Sequence, residues 1–265
     1  MDIIKALILG LVQGLTEFLP VSSSGHLVLM QHYLNFPLPP LMFDIMLHFG
    51  TLLAVVYVFK KDILVISKSA LEYFKHKSIT NNNVWFLLMI IVGTIPTGLI
   101  GIFFKPYFES LFTSVLSVSF ALIGTAFILM LAELLGRKAK NERISIVNAI
   151  LIGIMQGVAI IPGISRSGAT ISMGIMQGIN REVAAKYSFL LSIPAVLGAI
   201  VLEFNSVNLN ILTNNWQIYL LGTLMAIISG ILAIKTLLWV LRKYNLYIFS
   251  AYCVILGSLV IWRNM

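Results

Sequence analysis

Six stretches of the chain, 43–59, 84–104, 114–134, 187–203, 217–240 and 246–262, are long apolar runs. A helix crossing a bilayer needs roughly 17–25 mostly apolar residues, and each run meets that length. Of the 265 residues 59% are apolar and 11% charged, whereas a soluble domain carries about 25% charged residues. The chain therefore lacks the polar surface to face water. The expected fold class is all-α, a polytopic membrane protein.

Composition narrows the rest. The first apolar stretch runs into Glu17 and Pro20 rather than a small-residue cleavage site, so it does not read as a cleavable signal peptide. The single cysteine, Cys253, excludes an intramolecular disulfide and reads as a small buried hydrophobe. The net charge of +8 reads as the cytoplasmic bias of Lys and Arg, not as a nucleic-acid surface. Residues 60–77 carry Lys60, Lys61, Lys68, Lys75 and Lys77; residues 137–143 carry Arg137, Lys138, Lys140 and Arg143; Arg242 and Lys243 mark a third basic turn. By contrast 204–216 has no basic residue and 105–113 only Lys105. The basic connections belong in the cytoplasm and the other two outside.

Two regions, 3–36 and 145–182, are apolar but broken by Pro, Gly and Ser clusters. At a constant offset of 143 they match: Ala6, Gly10, Gln13, Gly14, Ser22, Ser24 and Gly25 recur as Ala149, Gly153, Gln156, Gly157, Ser165, Ser167 and Gly168. Membrane helices matching by chance share apolar letters; shared Gln, Ser and Gly indicate duplication. The chain is expected to be one membrane domain, 1–265, made of repeat one, 1–135, and repeat two, 144–265. Each half is a broken hairpin followed by three spans. Three is odd, so the second half starts on the other side and the repeats are inverted. The first hairpin is expected to dip in from outside and the second from the cytoplasm, where Arg181 and Lys186 return, leaving both termini outside. Non-helical tips at membrane depth must be buried in protein or line a wet cavity, so the two are expected face to face.

The tips carry the chemistry. The first reads Gln13-Gly14-Leu15-Thr16-Glu17-Phe18-Leu19-Pro20-Val21-Ser22-Ser23-Ser24-Gly25-His26, the second Pro162-Gly163-Ile164-Ser165-Arg166-Ser167-Gly168-Ala169-Thr170. Ionisable groups at membrane depth cost roughly 2.5–3.5 kcal/mol each on insertion scales, so they persist chiefly for function. Glu17 and His26 have apolar repeat mates, Ile160 and Ala169, while Arg166 has Ser23. Acid and imidazole come from one tip and guanidinium from the other, which points to one composite site. Arg166 offers a planar fork for phosphate oxygens, and hydroxyls and N–H groups at Ser22, Ser24, Ser165, Ser167, Gly168 and Thr170 attract anions. A carboxylate beside a diphosphate needs a bridging cation, so Glu17 implies a hard divalent ion, Mg²⁺ or Ca²⁺. His26 suits proton transfer. Ser23, or a water activated by Glu17 or His26, serves as nucleophile.

Duller roles exist for each residue. Serines in membrane helices bond to backbone carbonyls, Glu17 and Arg166 can form a structural ion pair, and His26 can be a satisfied core histidine. Asp44 and His48, four apart, share one helix face and either support the site or pair only with each other. Gly93, Pro96 and Gly98 are expected to kink or tightly pack a span.

Both tip segments resemble the signatures of the bacitracin-resistance undecaprenyl-diphosphate phosphatases. Phe43-Asp44 with His48-Phe49-Gly50-Thr51, and Ser188-Phe189-Leu190-Leu191-Ser192-Ile193-Pro194-Ala195, resemble further stretches of that family. The resemblance covers essentially the whole chain. It implies hydrolysis of undecaprenyl diphosphate to the monophosphate and inorganic phosphate, recycling a peptidoglycan lipid carrier and conferring bacitracin resistance. It also implies a divalent metal and a site opening to the outer face of the plasma membrane. Glu17 and Gln13 match the family's (E/Q)xxxE pattern, where the neutral amide is the weaker metal ligand. Ser23 matches the nucleophile, His26 the acid/base or assisting residue, and Arg166, flanked by Ser165, Ser167 and Thr170, the phosphate-binding arginine. The alternative function class is a transporter or lipid flippase, since broken-helix inverted repeats are typical there. A homodimer is compatible with the sequence, and the substrate partner is a polyprenyl diphosphate lipid.

Overall fold

Prolines and serines decide where the first helices stop and restart. The computed structural model describes residues 3–34, 40–76, 82–111, 114–136, 140–204 and 216–264. Helix α1 (Ile3–Phe18) ends two residues before Pro20, whose missing N–H and ring exclude a continuing helix. Ser22 then turns the chain with φ +71°, and its Oγ accepts from the Gly25 N–H at 3.2 Å to cap α2 (Ser23–Leu34). The same device recurs 143 residues later. After Pro162 and Gly163 (φ +99°), Ser165 Oγ accepts from Gly168 N–H at 3.0 Å, capping α8 (Arg166–Met176) behind α7 (Ile146–Val158). At Gly163 the left-handed backbone is combined with contact: an added Cβ would lie 2.6 Å from the Ala121 Cβ.

The remaining helices are α3 (Pro40–Val58), α4 (Lys60–His76), α5 (Asn82–Leu111), α6 (Val115–Leu135), α9 (Arg181–Phe204), α10 (Trp216–Lys243) and α11 (Tyr247–Asn264). Among the described residues there is no strand, only an isolated bridge between Asn141 and Ile179. The fold is all-α. Five helices, α5, α6, α9, α10 and α11, are long and apolar enough to cross a membrane, and α3 with α4 makes a sixth candidate bent by 75°. Their outward faces carry bare apolar side chains such as Phe103 (75% exposed) and Trp262 (80% exposed), as lipid-facing helices do. This is a polytopic membrane protein.

Glycines set how closely the helices pack. A Cβ at Gly14 would fall 2.7 Å from Gly230 N of α10, and one at Gly10 would fall 3.0 Å from Met225 Cβ. Their repeat mates do the same against α5: Gly153 would clash with Pro96 Cγ at 2.7 Å and Gly157 with Ile100 Cβ at 2.9 Å. Small residues let membrane helices approach backbone to backbone, so α1 lies along α10 as α7 lies along α5. Gly93 belongs to that second seam, while Gly98 faces open space; α5 runs unbroken through Pro96.

Two connections differ from the sequence reading. Residues 60–76 form helix α4, not a loop, and most of 105–113 extends α5 to Leu111. Lys77, Arg137, Lys138, the side chain of Lys75 and residues 205–215 of the 204–216 connection lie outside the described residues. At one end of the bundle Glu133 of α6, 5% exposed, accepts from Arg181 Nη1 and Nη2 (2.8 and 2.6 Å) and from Leu246 N–H (2.7 Å). One carboxylate thus ties α6 to the start of α9 and to the α10–α11 turn. Nearby, Lys186 pairs with Asp62 of α4.

Candidate active site

Glu17 is the hub. It sits in the last turn of α1, 7% exposed, and a buried carboxylate must be paired and hydrogen-bonded. Its Oε1 accepts from Arg166 Nη2 at 2.8 Å. Its Oε2 accepts from Ser23 Oγ at 2.5 Å and from Gln13 Nε2 at 3.0 Å, and His48 Nε2 stands 3.8 Å from it. Gln13 lies one turn earlier on the same face of α1. Ser23 is the first residue of α2, Arg166 the first of α8, and His48 comes from α3. Four elements converge on one carboxylate.

Direct contact between the two tips holds this meeting in place. Ser167 Oγ donates to Leu19 O (3.2 Å), and Gly163 N–H donates to Ser24 Oγ (3.4 Å). A Cβ on Gly25 would lie 3.2 Å from Gly163 Cα, so the backbones nearly touch. Behind the second tip, Thr125 Oγ1 donates to Gly163 O (2.9 Å) and accepts from Ser165 N–H (2.9 Å). Thr170 Oγ1 bonds to Arg166 O (2.8 Å) and to Ser188 Oγ (2.6 Å). The arginine therefore projects from a braced helix start.

Two polar atoms of the cluster are left over. Arg166 Nη1 and Gln13 Oε1 are buried without a hydrogen-bond partner among the described residues. Each such orphan costs about 1–3 kcal/mol. One is a cationic donor and the other a neutral acceptor, so an anion suits the first and a cation the second. Among the described residues no group of three His, Cys, Asp or Glu is placed to hold a metal ion. Oxygens of Glu17 and Gln13 nevertheless form the donor set a hard divalent cation takes.

The sequence bears the family mark over this whole arrangement: the model of the bacitracin resistance protein BacA family matches residues 6–259. The chain belongs to the BacA family. It is 44% identical over 265 residues to the undecaprenyl-diphosphatase of Halothermothrix orenii, covering 98% of both chains. It is 46% identical over 267 residues to the protein of that name from Carboxydothermus hydrogenoformans, covering 98% of this chain and 97% of the relative. The relative of the same name from Methanosphaera stadtmanae is 41% identical over 272 residues and covered to 98% in both directions.

In this BacA family chain the other sequence-selected residues have more local duties. Ser22 and Ser165 spend their hydroxyls as helix caps, and Ser167 and Thr170 spend theirs on backbone carbonyls and Ser188. What the capped helices keep for an anion is their remaining first-turn N–H groups, those of Ser23, Ser24, Arg166 and Ser167, since the Gly168 N–H is spent on the Ser165 cap. His26 is not brought into hydrogen-bond contact with Glu17 or Arg166. Its Nδ1 donates to Ser22 O (2.7 Å), so its Nε2 accepts from Tyr252 Oη (2.7 Å) with the rings nearly parallel. Gln156, the repeat mate of Gln13, turns to Thr97 instead. Sequence reasoning missed Tyr252 and Thr125, which lie in apolar runs with no local signal, and quoted Ser188 only within a family-like stretch, without a role.

Proposed function

We propose that the chain hydrolyses undecaprenyl diphosphate to undecaprenyl phosphate and inorganic phosphate, at a site shared by the two tips. What carries this reading is the Arg166–Glu17 pair across the tips with its unsatisfied guanidinium N–H, in a chain whose full-length relatives bear the name undecaprenyl-diphosphatase. The transporter or flippase alternative has no observation of that kind behind it.

Arg166 Nη1 binds an oxygen of the terminal phosphate, joined by the first-turn N–H groups of α2 and α8. Ser23 Oγ attacks the terminal phosphorus and passes its proton to Glu17 Oε2, with which it shares a 2.5 Å hydrogen bond. The bond from that phosphorus to the bridging oxygen breaks, and the lipid monophosphate leaves with the electron pair and takes the proton from Glu17. Water then attacks the phosphoserine, gives one proton to Glu17, and releases phosphate as that proton returns to Ser23 Oγ. Arg166 stabilises the charge that builds on the equatorial oxygens. His26 assists from behind by fixing the Ser22 carbonyl and hence the tip. Glu17 and Gln13 would hold Mg²⁺ or Ca²⁺, which supplies further charge neutralisation at the diphosphate.

The setting is a plasma membrane, with the site open to its outer face, where hydrolysis recycles the carrier for peptidoglycan synthesis and confers bacitracin resistance. The inverted-repeat reading draws support from the two matched seams, α1 on α10 and α7 on α5. Purified protein given undecaprenyl diphosphate and Mg²⁺ or Ca²⁺ is expected to release one phosphate per lipid. A quenched single turnover is expected to trap phosphate on Ser23, and Ser23→Ala to lose both the adduct and roughly 10²–10⁴-fold in rate. An inert wild type would end the phosphatase reading; an active Ser23→Ala would hand the attack to water.

A further inference from the structure

His48 is held from behind. Its Nδ1 lies 2.7 Å from the Asp44 carbonyl one turn earlier on α3, and a carbonyl only accepts, so Nδ1 carries the proton. Thr51 Oγ1 donates to the His48 carbonyl at 2.9 Å, and the Asp44 carboxylate is engaged by Gln31 Nε2 at 2.7 Å. The second ring nitrogen, Nε2, is left as the atom directed at the site, 3.8 Å from Glu17 Oε2. With Nδ1 protonated, a neutral ring presents a lone pair at Nε2 to a carboxylate oxygen. Two lone pairs facing one another repel unless a positive charge lies between them.

The separation states what that charge can be. Two atoms each bonded to one ion at about 2.1 Å stand at most ~4.2 Å apart, so a pair 3.8 Å apart can share one. The unpartnered Gln13 Oε1 belongs to the residue already bonded to that same Oε2. We propose that His48 Nε2 is a third protein ligand, with Glu17 and Gln13, for the divalent cation of this site. This rests on the reading that the site takes a cation at all. A ligand set of one nitrogen and two oxygens differs in kind from the all-oxygen sets that Ca²⁺ and Mg²⁺ prefer, and tilts the site toward borderline ions such as Mn²⁺.

Mn²⁺ is then both ligand and probe. The experiment titrates detergent-purified protein with Mn²⁺, counts free ion by electron paramagnetic resonance, and looks for ¹⁴N coupling in the electron spin-echo envelope of the bound ion. Wild type is expected to bind Mn²⁺ with an imidazole ¹⁴N signature. His48→Ala is expected to lose that signature and raise Kd roughly tenfold or more, at least what losing an outer-sphere partner costs. His48→Gln returns an oxygen ligand: it is expected to recover part of the affinity without the ¹⁴N coupling, and to let Mg²⁺ displace Mn²⁺ more readily. Recovery in His48→Gln separates ligation from a folding defect. Wild-type binding without ¹⁴N coupling, together with an unchanged Kd in His48→Ala, overturns the proposal and leaves the cation reading intact. No Mn²⁺ binding by wild type, or an unchanged Kd in Glu17→Gln, removes the cation and His48's role together.

Discussion

Arg166→Ala is expected to cut phosphate release from undecaprenyl diphosphate by roughly 10²–10³-fold, the cost of removing one preorganised charge-stabilising donor. The residue is placed for that role alone among the basic side chains of the two tips. Its Nη2 is spent on Glu17 at 2.8 Å, and its Nη1 is buried without a partner. Arg166→Lys keeps the charge but loses the fork that can hold a carboxylate and a phosphate oxygen at once, so it is expected to recover only a small part of the rate. Glu17 keeps Ser23 and Gln13 in either variant, so the purified proteins should remain monodisperse. Turnover within threefold of wild type in Arg166→Ala would refute the assignment.

The second large effect concerns stability. Glu133→Ala leaves the Arg181 guanidinium and the Leu246 N–H without their shared acceptor. Removing one partner of a buried pair costs about 3–5 kcal/mol; since Arg181 keeps a quarter of its side chain exposed, the loss is expected near 3 kcal/mol. Thermal or denaturant unfolding in detergent measures it. Asp62→Ala is the contrast: the Lys186–Asp62 pair has side chains 39% and 35% exposed and is expected to contribute under about 1 kcal/mol. Equal unfolding midpoints for the two variants would contradict the clamp.

The tips were legible because their geometry demands particular residues. A helix restart wants a serine cap, and the chain writes Ser22 and Gly25, then Ser165 and Gly168, at one offset. Of the three residues that break that repetition, Glu17, His26 and Arg166, the structure joins Glu17 to Arg166, while His26 turns to Ser22 O and Tyr252. Five spans were legible from apolar length alone, while the run at 43–59 reaches the length of a span only where α3 is joined to α4. Other features had no local trace. The 75° bend between α3 and α4 falls at Phe59 without a proline or glycine, and the lysines of α4 disguised it as a loop. Tyr252 reaches His26 across 226 positions, and which of the two readings of His48 holds, site support or a partner for Asp44 alone, depends likewise on how helices are rotated against each other. A serine that caps and a serine that binds substrate look alike in sequence. Undecaprenyl diphosphate itself was suggested by resemblance, since the residues alone specify only an anion beside a carboxylate.

A structure with a hydrolysis-resistant polyprenyl methylene-bisphosphonate bound tests the shared site most directly. The terminal phosphonate should lie between the tips, within hydrogen-bond distance of Arg166 Nη1 and against Ser23 and Glu17. A head group seated elsewhere, with the Arg166–Glu17 pair and its neighbours undisturbed, would contradict the account.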